Sequence, residues 1–314
     1  MSKKLRGVFL FSGLVMGIID STKGANQLSN YNDYNYLDIY DNKVLGVEDL
    51  EDKINQLRSS RKTYKYIVKT IQSGDMLESE IYPVYERKKD IPERNDKEKP
   101  SKESQYNLND KNARKKFIRK VNANFSKNDL YITLTYEDKY LPTEKQAKKD
   151  VTNYIRRLKN YRKKHGLPEL KYIYVLEYVD EEEQHKSKKI RVHHHILINQ
   201  MDRDAAEELW KRGRVNSKRL QPDDDFGLEG VARYLLKDPR GKRWYGSRNL
   251  KEPIINRSVS KLTRKKAEKL ALEPDVSGIF EKMYKDKYKY CDHQKYISDI
   301  TGGVYLYCRM RRRD

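Results

Sequence analysis

The chain has 314 residues, room for about two domains, and its 37% charged against 36% hydrophobic residues predict one well-packed core with polar extensions rather than two large cores. A net charge of +21 favours a polyanionic partner, because basic side chains release counterions from phosphates. Two cysteines, Cys291 and Cys308, exclude a disulfide framework and suit a reducing cytoplasm, and Cys291-Asp292-His293 lacks the second Cys/His pair of a zinc site.

In chain order, residues 1–60 are expected to form a polar, largely irregular extension, since residues 22–60 are rich in Asn, Asp, Tyr and Ser. Its apolar run, residues 7–19 behind Lys3, Lys4 and Arg6, has the first two parts of a secretory signal. The run is too short to cross a bilayer, so a peripheral helix or strand is expected, with export or membrane contact as the alternative. Residues 62–72 and 77–85 flank Ser73-Gly74-Asp75 and predict a small hairpin within 61–85. Residues 86–106 alternate charges with Pro and Ser without an apolar period, which predicts a linker.

From residue 107 the pattern becomes regular. Ala113, Phe117, Val121 and Phe125 make a helical stripe over 107–125. Residues 130–136 alternate as a strand, with Tyr131, Thr133 and Thr135 on one face and Leu130, Ile132, Leu134 and Tyr136 on the other. A long basic helix over 143–165 ends at Gly166 and Pro168. Strands at 171–178 and 191–199 are joined by a charged turn at 180–189, followed by helices at 202–211 and 226–238 and a short strand at 242–251. Residues 258–314 are expected as a basic helix and strand extension. The interleaving predicts an α+β fold, with an antiparallel-dominated central sheet and helices, related to split βαβ folds.

Three of the six histidines are consecutive, at His193, His194 and His195, in a run otherwise apolar and β-branched. On a strand His193 and His195 share a face, and two neutral imidazoles at that spacing can grip one divalent cation; a pair of surface or satisfied core histidines is the alternative. Glu177 shares a strand face with Ile173 and Val175, where a carboxylate is costly unless paired or metal-bound. The hairpin places it beside His193 and His195, at about 5 Å between cross-strand neighbours, as third ligand or as a partner of Arg191. Such a mixed set suits Mg²⁺ or Mn²⁺ and leaves positions open for phosphate oxygen. On the following helix Tyr234 and Lys237 share a face, so Tyr234 is the candidate nucleophile and Lys237 its electrostatic support; a half-buried aromatic with a solvated lysine is the alternative.

These motifs occur in one order, and together they resemble the rolling-circle replication initiators of the His-hydrophobe-His (HUH) endonuclease superfamily. Tyr131-Ile132-Thr133-Leu134-Thr135-Tyr136 looks like their first motif, His193-His194-His195 like the metal motif and Tyr234-Leu235-Leu236-Lys237 like the nucleophile helix. Trp210-Lys211-Arg212-Gly213 and the stretch 244–253 further resemble replication-associated proteins of filamentous phages and small plasmids. The resemblance covers residues 107–257 as an endonuclease-like catalytic domain. Two departures stand out: His194 replaces the usual apolar residue, leaving open which two imidazoles bind metal, and Gly230 occupies the place of a second tyrosine found in some relatives.

The resemblance implies a cytoplasmic, metal-dependent site-specific DNA endonuclease and strand transferase. It would nick single-stranded or hairpin origin DNA through a 5′-phosphotyrosine, with a host helicase and polymerase as further partners and no membrane. Lys148, Arg156 and Lys159 of the long helix, with Arg191, Arg233, Arg243, Arg248 and Lys251, are the basic side chains expected on DNA. A relaxase, a single-tyrosine transposase and a non-catalytic nucleic-acid-binding protein are the alternatives.

Overall fold

The computed structural model describes residues 55, 64–85, 102–178, 192–237, 244–297 and 304–313. The apolar run 7–19, the N-terminal extension apart from residue 55, most of the expected linker, the turn 180–189, Arg191 and Arg243 lie outside the described residues. Among these residues the fold is α+β, with six helices and two five-stranded sheets in which every pairing is antiparallel.

The first sheet contains β3 (Leu130–Thr135), β4 (Tyr172–Glu177), β5 (His193–Ile198), β6 (Val215–Arg219) and β7 (Tyr245–Gly246), in the order β6-β3-β5-β4-β7. The alternation read in β3 is the alternation observed: Leu130, Ile132 and Leu134 are fully buried, whereas Tyr131, Thr133 and Thr135 are partly exposed. On the face of Leu130, Ile132, Ile196 and Ile198 lies α2 (Glu144–Lys164), which contributes Ala147, Val151, Tyr154 and Leu158. Each large apolar side chain buried in this way stabilises the fold by about 1.5–3 kcal/mol. The ends of α2 follow its sequence. Thr143 Oγ1 accepts from the Gln146 amide at the start, and Gly166, at φ +63°, reverses the chain after the end. Trp210 is fully buried in the same layer and donates its indole N–H to the Thr135 carbonyl at 2.7 Å, just after α3 (Arg203–Glu208).

The opposite face carries Ile173, Val175 and Leu197, covered by α1 (Lys102–Asn122) through Phe117 and Val121 and by α4 (Glu229–Leu235) through Ala232 and Leu235. This apolar cover stops short of the strand ends that carry Glu177 and His193. Helix α1 begins at Lys102, inside the segment expected as linker. Lys, Glu, Ser and Gln extend a helix without an apolar stripe, so periodicity gave no sign of its first turn.

The second sheet joins segments far apart in sequence: β1 (Tyr64–Ser73), β2 (Met76–Tyr85), β8 (Ile254–Ser258), β9 (Tyr288–Ile297) and β10 (Val304–Arg312), in the order β8-β1-β2-β10-β9. The β1–β2 hairpin turns at Gly74, whose φ of +60° suits a two-residue loop and whose Cα packs so close to the Asn122 carbonyl that a Cβ would lie 2.2 Å from it. One sheet face, with Val68, Ile81, Leu306 and Met310, packs on α5 (Arg264–Leu272) and α6 (Ser277–Met283) through Ala267, Leu270 and Phe280.

The other face meets α1 through charge. Arg119 donates to both Glu78 carboxylate oxygens at 2.8 and 2.6 Å, and the Tyr307 hydroxyl donates to the second at 2.7 Å. Burial by itself would raise the Glu78 pKa, but the Arg119 charge and these hydrogen bonds outweigh it and hold the carboxyl below its ordinary value of 4.5. The unfolded chain therefore takes up this proton first as pH falls. Stability from Glu78 is complete above pH 4.5 and is lost as pH drops through the lowered folded value. Urea unfolding at neutral and acidic pH should show a steeper acid loss in the parent than in Glu78→Gln; parallel losses would contradict the assignment.

Candidate metal and nucleophile site

Strand register builds the ligand group. Glu177 on β4 is directly opposite His193 on β5, and Thr133 on β3 is opposite His195 from the other side. The Glu177 Oε2 atom lies 2.6 Å from His193 Nε2 and 3.3 Å from His195 Nε2, with the two imidazole rings 4.7 Å apart and perpendicular. One ligand atom from each of the three residues falls within 4.8 Å of the others, a group that can hold one metal ion through two nitrogens and an oxygen. The side chain of His195 is nearly buried at 6% exposure, whereas those of His193 and Glu177 retain 19% and 25%, so the group is open on one side. Hydrogen bonds from His193 and His195 hold the Glu177 carboxyl well below the usual carboxylate range against the opposing effect of burial. Burial pushes the His195 imidazole down, toward the neutral form that ligates metal.

His194 points to the other face and is fully buried, with Nε2 3.0 Å from the Tyr136 hydroxyl and its ring 5.8 Å from Trp210. Burial pushes its pKa down to about 3. Of the three imidazoles, His193 and His195 are the pair that share a site with Glu177, and His194 belongs to the core.

The second nitrogen of His195 leads to the tyrosines. Nδ1 lies 2.6 Å from the Tyr131 hydroxyl and 3.3 Å from Thr133 Oγ1, contacts that set the plane of the ring. Tyr234 on α4 meets both rings edge-on, at 5.2 Å from His195 and 6.4 Å from Tyr131, and the two phenols are hydrogen-bonded. Burial, with the Glu177 charge adding to it, raises the Tyr234 pKa, while the Tyr131 bond opposes the rise. A phenol in this setting is a weak nucleophile until something offsets the negative charge beside it.

Tyr131 is the member that motif reading missed. Its face was readable from the alternation of β3, but its contact with both His195 and Tyr234 requires the packed helix. Groups that orient a metal-bound histidine typically contribute about 10–100-fold to metal affinity. Tyr131→Phe, which keeps the ring and removes the hydroxyl, is expected to weaken Mn²⁺ binding by about 10-fold in calorimetry; unchanged affinity would limit Tyr131 to packing.

The other expected site residues divide by position. Lys237 is exposed and lies just beyond α4, whose last helical residue is Leu235, so the helix ends before the turn that was expected to align Lys237 with Tyr234. Arg233 is 4% exposed and pairs with Glu229 at 2.5 Å; its guanidinium is in the interior and is not presented to DNA, a correction to its expected role. Neighbouring Tyr234 faces the metal group because adjacent helical residues point about 100° apart. Lys148, Arg156 and Lys159 are exposed on α2, across the sheet from Tyr234, and Lys148 is bonded to Glu144. Arg248 and Lys251 are exposed near β7. Arg248 lines a cleft of about 490 Å³ with Lys120, Trp244 and Gly246, and Trp244 packs against Phe117 at 5.3 Å.

Glu177, His193, His195, Tyr234 and Lys237 thus all fall between the start of β3 and the turn after α4. Residues 129–239 match the family model of the ORF2-type replication-associated proteins. The matched stretch is roughly a third of the chain and coincides with the part that carries the candidate site, which supports the reading of a replication initiator. No curated protein and no solved structure matches the chain. Among the described residues, no helix is long and apolar enough to cross a membrane.

Proposed function

We propose that this protein initiates DNA replication by nicking and rejoining one strand, with Tyr234 as the covalent carrier. The observation that carries the reading is the placement of the Tyr234 ring 5.2 Å from His195, itself grouped with His193 and Glu177, inside the stretch that matches a replication-associated family. Two imidazoles and a carboxylate suit Mg²⁺ or Mn²⁺. When bound there, such an ion would supply Lewis-acid polarisation of the scissile phosphate and offset the Glu177 charge that raises the Tyr234 phenol.

The chain's own residues do the rest. Tyr131 and Thr133 orient His195, and Tyr131 holds the Tyr234 hydroxyl by a hydrogen bond. The Tyr234 oxygen attacks phosphorus, the bond from phosphorus to the 3′-oxygen breaks, and the phenolic proton ends on that oxygen. The products are a 5′-phosphotyrosine and a free 3′-hydroxyl that a host polymerase can extend. Attack of a 3′-hydroxyl on the phosphotyrosine reverses the step and rejoins the strand. Lys237, exposed beyond α4, offsets charge at the phosphate. Arg248 and Lys251 guide the unpaired strand, whereas Lys148, Arg156 and Lys159, across the sheet, contact flanking DNA.

The test is incubation of end-labelled single-stranded DNA bearing a candidate origin with protein and Mn²⁺, followed by a denaturing gel. A covalent adduct is the expected result. Retention in a native gel without an adduct would overturn the strand-transfer reading in favour of a binding protein.

A further inference from the structure

Helix α4 has only seven residues and is preceded by Leu228, which makes no side-chain cap. A helix this short does not hold its own position and depends on what packs against it. Its apolar contacts through Ala232 and Leu235 are non-directional and permit small slides or rotations. The directional contacts come from elsewhere in the chain. Arg309 of β10 donates to Glu229 Oε2 at 2.8 Å, while Arg233 donates to Glu229 Oε1 at 2.9 and 2.5 Å. Arg309 is itself held by Asp292 of β9, with Nε 2.7 Å from Oδ1, and lies 4.4 Å above the Phe226 ring. The Arg309, Glu229 and Arg233 side chains are each 5% exposed or less.

Further ties flank these. Lys289 pairs with Asp225 at 2.8 Å in the loop before α4, the Asn122 side chain accepts from the Leu228 amide at 2.8 Å, and Arg114 of α1 donates to the Leu236 carbonyl at 3.2 Å at the helix end. Arg309, Asp292, Lys289, Asn122 and Arg114 all lie outside residues 129–239.

We infer that the second sheet is a positioning device for the nucleophile helix, and that Arg309 is a positioning residue for Tyr234. The inference rests on the reading of Tyr234 as nucleophile. Tyr234 follows Arg233 directly, so the ion pairs that orient Glu229 and Arg233 set the angle at which the phenol approaches His195. Displaced charges in this buried network would lose their partners, so the network resists the slides that apolar packing permits.

The experiment uses the full chain carrying Arg309→Met, Arg309→Lys, Glu229→Gln or Tyr234→Phe. It measures adduct formation on single-stranded DNA, Mn²⁺ affinity by calorimetry, and hydrogen exchange of amides 229–236. A misplacement of about 1 Å costs on the order of 10²-fold in rate. Arg309→Met should therefore lower kcat by about that factor, with KM and Mn²⁺ affinity within about threefold of the parent. Amides 229–236 should exchange faster, and Arg309→Lys should restore part of the lost rate. Should Arg309→Met fail to fold, Glu229→Gln tests the same bond with less disturbance and should lower kcat by about 10-fold. Parental kcat in a folded Arg309→Met or, in its place, Glu229→Gln would overturn the inference, and so would equal losses of kcat and Mn²⁺ affinity, which mark general damage. An adduct that survives Tyr234→Phe would remove the nucleophile reading itself, whereas loss of the adduct there alongside unaffected Arg309 variants would remove only the positioning role.

Discussion

Tyr234→Phe should abolish the covalent DNA adduct while leaving fold and DNA affinity close to those of the parent. The substitution removes one oxygen and keeps the half-buried ring that packs edge-on against His195 and Tyr131. DNA affinity rests on dispersed phosphate contacts, which the change does not touch. The measurement is mass spectrometry of the trapped peptide–DNA adduct, together with a binding titration. Tyr245 is the sequence-near competitor, but its ring stacks on Tyr174 at 4.8 Å, and Tyr174 belongs to the core on the opposite face of the sheet. Persistence of a phosphotyrosine peptide in Tyr234→Phe would move the chemistry to another residue. Lys237→Ala tests the lesser role: loss of one electrostatic stabiliser costs about 10²–10³-fold, so cleavage should slow by up to that range without loss of the adduct's identity.

Replacing His193 and His195 together by Ala is expected to remove Mn²⁺ binding and to lower cleavage by at least about 10³-fold. The two imidazoles supply two of the three ligand atoms, and their hydrogen bonds keep the Glu177 carboxyl ionised against burial. A lone carboxylate at the end of the strand does not hold a divalent ion at useful affinity. Duplex DNA binding should survive, since neither histidine belongs to the basic surface. Calorimetry with Mn²⁺ and cleavage assays on the double variant give the check, and cleavage at the parental rate would refute the assignment. His194→Leu is the control. It exchanges a buried imidazole beside Tyr136 and Trp210 for an apolar side chain, so metal affinity should persist.

Periodicity alone was sufficient to place His193 and His195 on one face and His194 on the other, because side-chain direction in a strand depends only on counting by two. The same local rules located the Thr143 cap of α2, the turn at Gly166 and the β1–β2 hairpin around Gly74, since each depends on residues within one turn of each other. The opposition of Glu177 and His193 was likewise legible, as it requires only that two neighbouring strands form a hairpin. What local pattern could not decide was any contact made across long stretches of chain. The hairpin 64–85 and the segments 254–258 and 288–312 read as separate pieces, yet they pair into one sheet, since strand partners more than 200 residues apart leave no mark on either strand's periodicity. Arg233 read as a surface cation beside the nucleophile, and only the arrival of Arg309 and Glu229 in the interior turned it into part of a buried ion network. Tyr131 shows both sides. Its face follows from the sequence, but its bonds to His195 and Tyr234 exist because packing brings β5 and α4 to the same edge of β3.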